Sequence, residues 1–205
     1  MVDRFKYRPD REAYNAARVR ALEALLIKKG IITSKTVDTV LEFFETKMGP
    51  FNGAKIVARS WIDPAFKARL IAHTPKAIAE MDLPTGIAGA EGEHMRAVAN
   101  SPGIHNLIIC TLCSCYPWPV LGLPPYWYKD PTFRSRAARE PRAVLREFGL
   151  SIANDVEIKV WDSSAQIRWF VVPERPEGTD GMSEAELVAL VTPEAMMGVA
   201  VAMAE

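Results

Sequence analysis

The chain has 205 residues and a mass of 22.7 kDa, the size of one domain or of one domain with an appendage. Its 49% apolar and 24% charged residues exclude wholesale disorder. Twenty-five basic residues against twenty-five acidic ones leave no electrostatic case for nucleic acid or an anionic membrane, and no apolar run approaches the roughly 20 residues of a membrane span.

The opening Met1-Val2-Asp3-Arg4-Phe5-Lys6 carries charges with no apolar core after them, so no signal peptide is expected and the chain reads as cytoplasmic. Tyr14, Ala17, Ala21, Leu22, Leu25 and Leu26 recur at three- and four-residue steps and predict a helix that Gly30 stops. Val37, Val40, Leu41 and Phe44 repeat the pattern after Ser34, ending before Gly49-Pro50. A third helix carries Ile56, Val57, Ser60 and Trp61. Asp63-Pro64 and Thr74-Pro75 each read as an N-cap followed by proline in the first helical position.

Residues 82–92 are glycine-rich and without period, which predicts a loop between a helical segment and a sheet segment. Strands are expected at Met95–Ala99 and at Asn106–Ile109, separated by a Ser101-Pro102-Gly103 turn. Asp130-Pro131 starts a helix that Glu140-Pro141 interrupts and Gly149 ends. Val156, Ile158 and Val160 alternate, as do Ile167, Trp169 and Val171; with Asp162-Ser163-Ser164-Ala165 between them they predict a hairpin. Ser183 and Glu186 form a capping box before Leu187. Helices first and mixed elements afterwards predict an α+β fold rather than a doubly wound sheet.

All three cysteines, Cys110, Cys113 and Cys115, lie within six residues. An odd, clustered set is no disulfide framework. They follow an apolar strand, and Pro117 and Pro119 keep the next segment from continuing as a helix. A C-x-x-C-x-C loop can turn three sulfurs and the amides of Ser114 and Cys115 toward one point, a set that suits a transition metal over calcium or magnesium. Structural zinc and iron–sulfur clusters want four ligands, and His105 is the only nearby histidine. A redox pair wants a helix directly after its first cysteine. Spacing alone thus leaves three readings: a metal site completed by other donors, a redox pair, and thiols that are merely buried.

The run from Cys110 through Thr111, Leu112, Cys113, Ser114, Cys115, Tyr116, Pro117 and Trp118 to Pro125 resembles the metal-binding segment of the nitrile hydratase α subunit. Gly53–Trp61 with Asp63-Pro64, Arg139–Arg142, Val160–Ser163 and Arg175–Gly181 are similar to the same family, and the likeness spans roughly residues 15–200. It implies a layered α-β-β-α fold, with residues 1–50 as a helical arm contacting a partner and residues 51–205 as the globular metal-binding catalytic domain. It implies a trivalent metal on the sulfurs of Cys110, Cys113 and Cys115 and the amides of Ser114 and Cys115. Cys113 is then a sulfinate and Cys115 a sulfenate, the second and first rungs of thiol oxidation. Thr111, Tyr116 and Pro117 match the cobalt members, so one Co(III) per chain is expected in place of Fe(III). The activity implied is hydration of a small-molecule nitrile to its amide, with a β subunit as partner, an α2β2 assembly and a metallochaperone for cobalt loading. The alternatives are the metal subunit of thiocyanate hydrolase, which carries Arg where this chain has Trp118, and a thiolate metal-binding domain without catalysis.

Several flanking residues complete the expectation. Trp118, with Leu121 and Leu123, would wall an apolar substrate pocket. Arg134, Arg136, Arg139 and Arg142 read as a basic helix face meeting solvent or a partner's carboxylates. Asp162, Ser163 and Arg168 lie in a stretch resembling the family's, which turn chemistry explains as well. Two positions depart from the family. Glu91 stands where Gln is usual before the claw, and Gln166 where Glu is usual. A carboxyl at Glu91 facing anionic sulfur oxygens would be held protonated and would donate the hydrogen bond an amide otherwise gives.

Overall fold

The computed structural model describes residues 9–83, 94–110 and 115–203. Helix α1 (Pro9–Lys28) ends where Gly30 takes a left-handed φ of 69°, and α2 (Ser34–Thr46) starts under a Thr33 side chain that accepts from the Thr36 amide. Both helices leave large apolar side chains in water, among them Tyr14, Leu22 and Leu41, and Ile31 in the turn between them is exposed too. Helix α3 (Pro50–Ile62) is the opposite, with Ile56, Val57 and Ala58 fully buried. Helix α4 (Pro64–Ala72) follows directly, its first turn capped by Asp63.

Helix α5 (Thr74–Ala79) begins at the expected place, but Thr74 does not cap it. Its hydroxyl donates instead to the Leu70 carbonyl and accepts from the Ala97 amide, tying α4 to the first strand. A buried hydroxyl between two backbones gains more from this bridge than from an exposed first turn.

The strands β1 (Met95–Ala99), β2 (Ile104–Cys110), β3 (Glu157–Ser163) and β4 (Arg168–Val172) form two parallel pairs. β1 lies on β4, with Met95 opposite Arg168, and β2 lies on β3, with Ile104 opposite Glu157 and Cys110 opposite Ser163. The expected hairpin of β3 with β4 is therefore not formed. Alternation fixes which face of a strand is buried but not which strand it pairs with. The Ser164–Ile167 turn closes with a 2.7 Å amide-to-carbonyl bond and carries the chain from one pair to the other. Ser163 stitches the step by accepting from the Trp169 amide.

Between β2 and β3 in sequence run α6 (Trp118–Leu121), a 3₁₀ turn (Tyr126–Lys129), α7 (Pro131–Arg139) and α8 (Pro141–Glu147); α9 (Glu184–Val188) and α10 (Pro193–Met197) follow β4. Asp130 caps α7, and the Ser183–Glu186 box caps α9. Helices α4 and α5 cover β1, while α7 packs on β2 and α8 on β3. β4 meets β2 and β3 between the pairs, which is the layered α-β-β-α arrangement of an α+β fold. Helices α3 and α6 approach so closely that a Cβ at Gly53 would stand 2.2 Å from the Val120 carbonyl oxygen.

Candidate metal centre

Cys110 is the last residue of β2, and Cys115 opens the segment that leads into α6. Both are buried, each with 2% of its surface exposed. Two thiols shut away from water five residues apart in sequence need a shared reason to be there. Thr111, Leu112, Cys113 and Ser114 lie outside the described residues, as do Glu91 and the glycine-rich loop around it.

Each end of this segment is held by the body. β2 fixes Cys110 through its register with β3, and the Arg134 guanidinium of α7 donates to the Cys110 carbonyl at 3.0 Å. After Cys115, the buried Tyr116 hydroxyl points onto the Met197 sulfur of α10 at 3.4 Å. The Pro119 carbonyl accepts from the Gly49 amide and from the Asn52 side chain, each at 3.3 Å, so α6 is fastened to the start of α3. Trp118 lies edge-on to Phe44 of α2, with ring centroids 5.6 Å apart, and is half-buried there. Its expected companions separate: Leu121 is in the core, and Leu123 is turned to solvent. The pocket wall drawn from these three residues is thus not one surface.

The basic helix face is also different from expectation. Arg136 reaches Glu140 and Glu147 at 2.6 Å each, and Arg142 forks onto the carbonyls of Ile152, Ala153 and Val156. Arg139 bonds back to Ser135. These cations are used inside the chain, because the turn after α8 brings carbonyls and carboxylates back beside them. Only three-dimensional return of the chain could reveal that, so the four-residue spacing read them as a surface.

Tyr128 was not marked by the sequence at all. It sits in the 3₁₀ turn with 2% of its surface exposed, its ring edge-on to Tyr116 at 5.0 Å. Its hydroxyl is buried and has no hydrogen-bond partner among the described residues. Burial holds the phenol protonated well above its usual range, and the charge of Cys110 adds to this. A run of tyrosines beside a cysteine cluster, Tyr126 and Tyr128 here, was the available signal. Of the remaining candidates, Ser163 is buried opposite Cys110, Asp162 is exposed at the end of β3, and Arg168 starts β4. Gln166 is exposed, and its side chain accepts from Ser164 within the turn.

Buried sulfur donors on a rigid strand end and a clamped loop exit, beside an unused phenol, fit a thiophilic transition metal. Among the described residues no group of three or more His, Cys, Asp or Glu side chains offers a metal site elsewhere.

The model of the family described as nitrile hydratase, alpha chain, matches residues 13–200. The chain is 53% identical over 184 residues to a cobalt-containing nitrile hydratase subunit alpha of Pseudonocardia thermophila, covering 89% of this chain and 88% of the relative. It is 51% identical over 186 residues to a low-molecular weight cobalt-containing nitrile hydratase subunit alpha of Rhodococcus rhodochrous, covering 91% and 88%. A thiocyanate hydrolase subunit gamma of Thiobacillus thioparus is 38% identical over 188 residues, covering 88% of this chain and 77% of that one. The solved Fe-type nitrile hydratase of Comamonas testosteroni Ni1, in a double-mutant form, superposes with a TM-score of 0.85 at 38% identity, covering 94% and 92%. The chain belongs to the nitrile hydratase α-chain family.

Proposed function

We propose that this chain is the metal-carrying α subunit of a nitrile hydratase, adding water across a nitrile to give the amide. The observation that carries the reading is the pair Cys110 and Cys115, both buried, in a chain 51% and 53% identical to two cobalt-containing relatives. The sulfurs of Cys110, Cys113 and Cys115 with the amide nitrogens of Ser114 and Cys115 would hold one Co(III). When bound, the metal supplies Lewis-acid polarisation of water or of the nitrile nitrogen.

The chain's own residues do the rest. Cys110 holds one donor on a strand that cannot slide, because every residue from Ile104 to Cys110 has a register partner on β3. Cys113 as sulfinate and Cys115 as sulfenate present oxygens to the reacting side. The Cys115 oxygen supplies the electron pair, either to the nitrile carbon or to a proton of the attacking water. Ser114, next to Cys115 in sequence, would offer its hydroxyl to the same centre, and Trp118 would border the substrate. Glu91 lends the protonated carboxyl, and its replacement by Gln should remove an alkaline limb from the pH profile of kcat/KM.

The exposed apolar side chains of α1 and α2 call for cover, since Tyr14 is 63% exposed, Leu22 57% and Leu41 54%. The reading assigns residues 1–50 as an arm onto a β subunit, in a cytoplasmic α2β2 enzyme loaded by a metallochaperone. No helix among the described residues is long and apolar enough to cross a membrane. The test is metal analysis and a nitrile hydration assay on the chain co-expressed with its genomic neighbour. Cobalt with amide formation is expected. Zinc in an active enzyme would overturn the metal assignment, and turnover of thiocyanate in place of nitriles would overturn the reaction.

A further inference from the structure

Of the arginines spaced along α7 and α8, Arg136 is held by carboxylates, Arg139 by Ser135 and Arg142 by loop carbonyls. Arg134 reaches the other way, to the end of β2, where its guanidinium donates to the Cys110 carbonyl at 3.0 Å. Both ends of that bond are anchored. Asp130 caps α7, and Phe133, next to Arg134, is fully buried with its ring 4.9 Å from Trp127 and 6.0 Å from Phe148. Cys110 is held by its register with Ser163. A charge-assisted bond between two fixed groups sets the peptide plane through which the chain leaves β2 for the claw segment.

Covalent geometry carries the distance on to the sulfur. A short run of single bonds keeps the Cys110 carbonyl oxygen within about 5 Å of its own Sγ, so the guanidinium nitrogen lies within about 8 Å of that sulfur. Arg134 is half-buried, and a charge there is screened less than one in water. On the reading proposed above, the sulfur anions and deprotonated amide nitrogens of the claw outweigh a trivalent cation. The filled centre is then anionic, and its burial calls for positive charge. We infer, resting on that reading, that Arg134 is a positioning residue of the metal centre: its bond aims the Cys110 donor, and its charge offsets the anionic claw from within this chain.

The experiment compares the cobalt-loaded complex, unmodified, with Arg134→Met, with Arg134→Lys and with Arg139→Met as a control on the same helix. The ratio of trivalent to divalent cobalt is read in a fixed redox buffer from the electron paramagnetic resonance signal of the divalent form, and cobalt loss is timed against a chelator. A nearby cation favours the divalent, more negative centre. Arg134→Met should therefore raise the ratio roughly tenfold, about 59 mV for one electron, and speed cobalt loss roughly tenfold. Lysine keeps the charge and one donor, so Arg134→Lys should stay within about twofold of the unmodified complex in both, and Arg139→Met should change neither. An unchanged ratio and unchanged loss in Arg134→Met overturn the inference, and so does a change that Arg134→Lys shares in full. Should Arg134→Met yield no soluble complex, Arg134→Gln, neutral with an amide donor, takes its place, and a ratio equal to that of Arg134→Lys overturns the inference. An unmodified complex that takes up no cobalt overturns the reading beneath it instead.

Discussion

At its first residues β2 places His105 and Asn106 in a network where every side-chain nitrogen and oxygen has a partner, while at its last residue it places Cys110 beside a phenol that bonds to none of the described residues. The first network runs from Trp161 to Asn106 at 2.7 Å, from Asn106 to the Ala99 carbonyl at 2.8 Å and to Asn100 at 2.9 Å, and from Asn100 to His105 at 3.4 Å. His105 closes it on the Gly198 carbonyl at 2.7 Å, which requires the ring proton on Nε2 and leaves Nδ1 as the acceptor. This end joins the two parallel pairs to each other and to the end of α10. The other end keeps buried sulfurs and a spare donor. A satisfied end makes the fold; an unsatisfied one is where a further group is needed to complete it.

The comparison breaks most visibly at Gly198. Its φ is 81°, and a Cβ there would stand 1.9 Å from the Asn106 carbonyl oxygen. Gly198→Ala should cost about 3–5 kcal/mol in denaturant unfolding of the isolated chain, because backbone rather than a flexible side chain must move. Asn106→Ala comes next at about 2–4 kcal/mol, since it strands the Trp161 indole N–H and removes the side-chain donor shared by the Ala99 carbonyl and Asn100.

His105 sharpens the comparison through pH. Burial lowers its pKa from the ordinary 6.5, against the Gly198 carbonyl and the Glu174 charge, which favour the proton. The unfolded chain therefore binds a proton that the folded chain refuses. Stability is greatest above pH 6.5 and falls as pH drops below it, until the folded ring protonates too. Replacing His105 by Gln should flatten that slope, and an unchanged slope would remove His105 from the account.

The smallest effect is expected at the other end. In the metal-free chain Tyr128→Phe should change stability by less than about 0.5 kcal/mol or raise it, because the hydroxyl removed has no bond to lose. A loss near that of Asn106→Ala would mean that the two ends are alike after all.

Much of this was legible in the residues alone. Caps at Asp63, Asp130 and Ser183, the strands around Val98 and Leu107, and the cysteine cluster are local signals, and local signals survive folding. Strand partners are not local. The alternation in β3 and β4 read as a hairpin, although each strand belongs to a different parallel pair. The spacing of Arg134 reads as part of a surface, because nothing in it shows that α7 packs over the end of β2. Tyr128 was missed because an aromatic residue reads first as core, and its chemistry lies in one hydroxyl.

The cobalt content of the purified complex, measured together with nitrile hydration for the unmodified chain and for Cys110→Ala, tests the central claim most directly. The account predicts about one cobalt per α chain with amide formation in the first, and loss of both in the second. Full hydration by Cys110→Ala, or an active unmodified complex without cobalt, would contradict it.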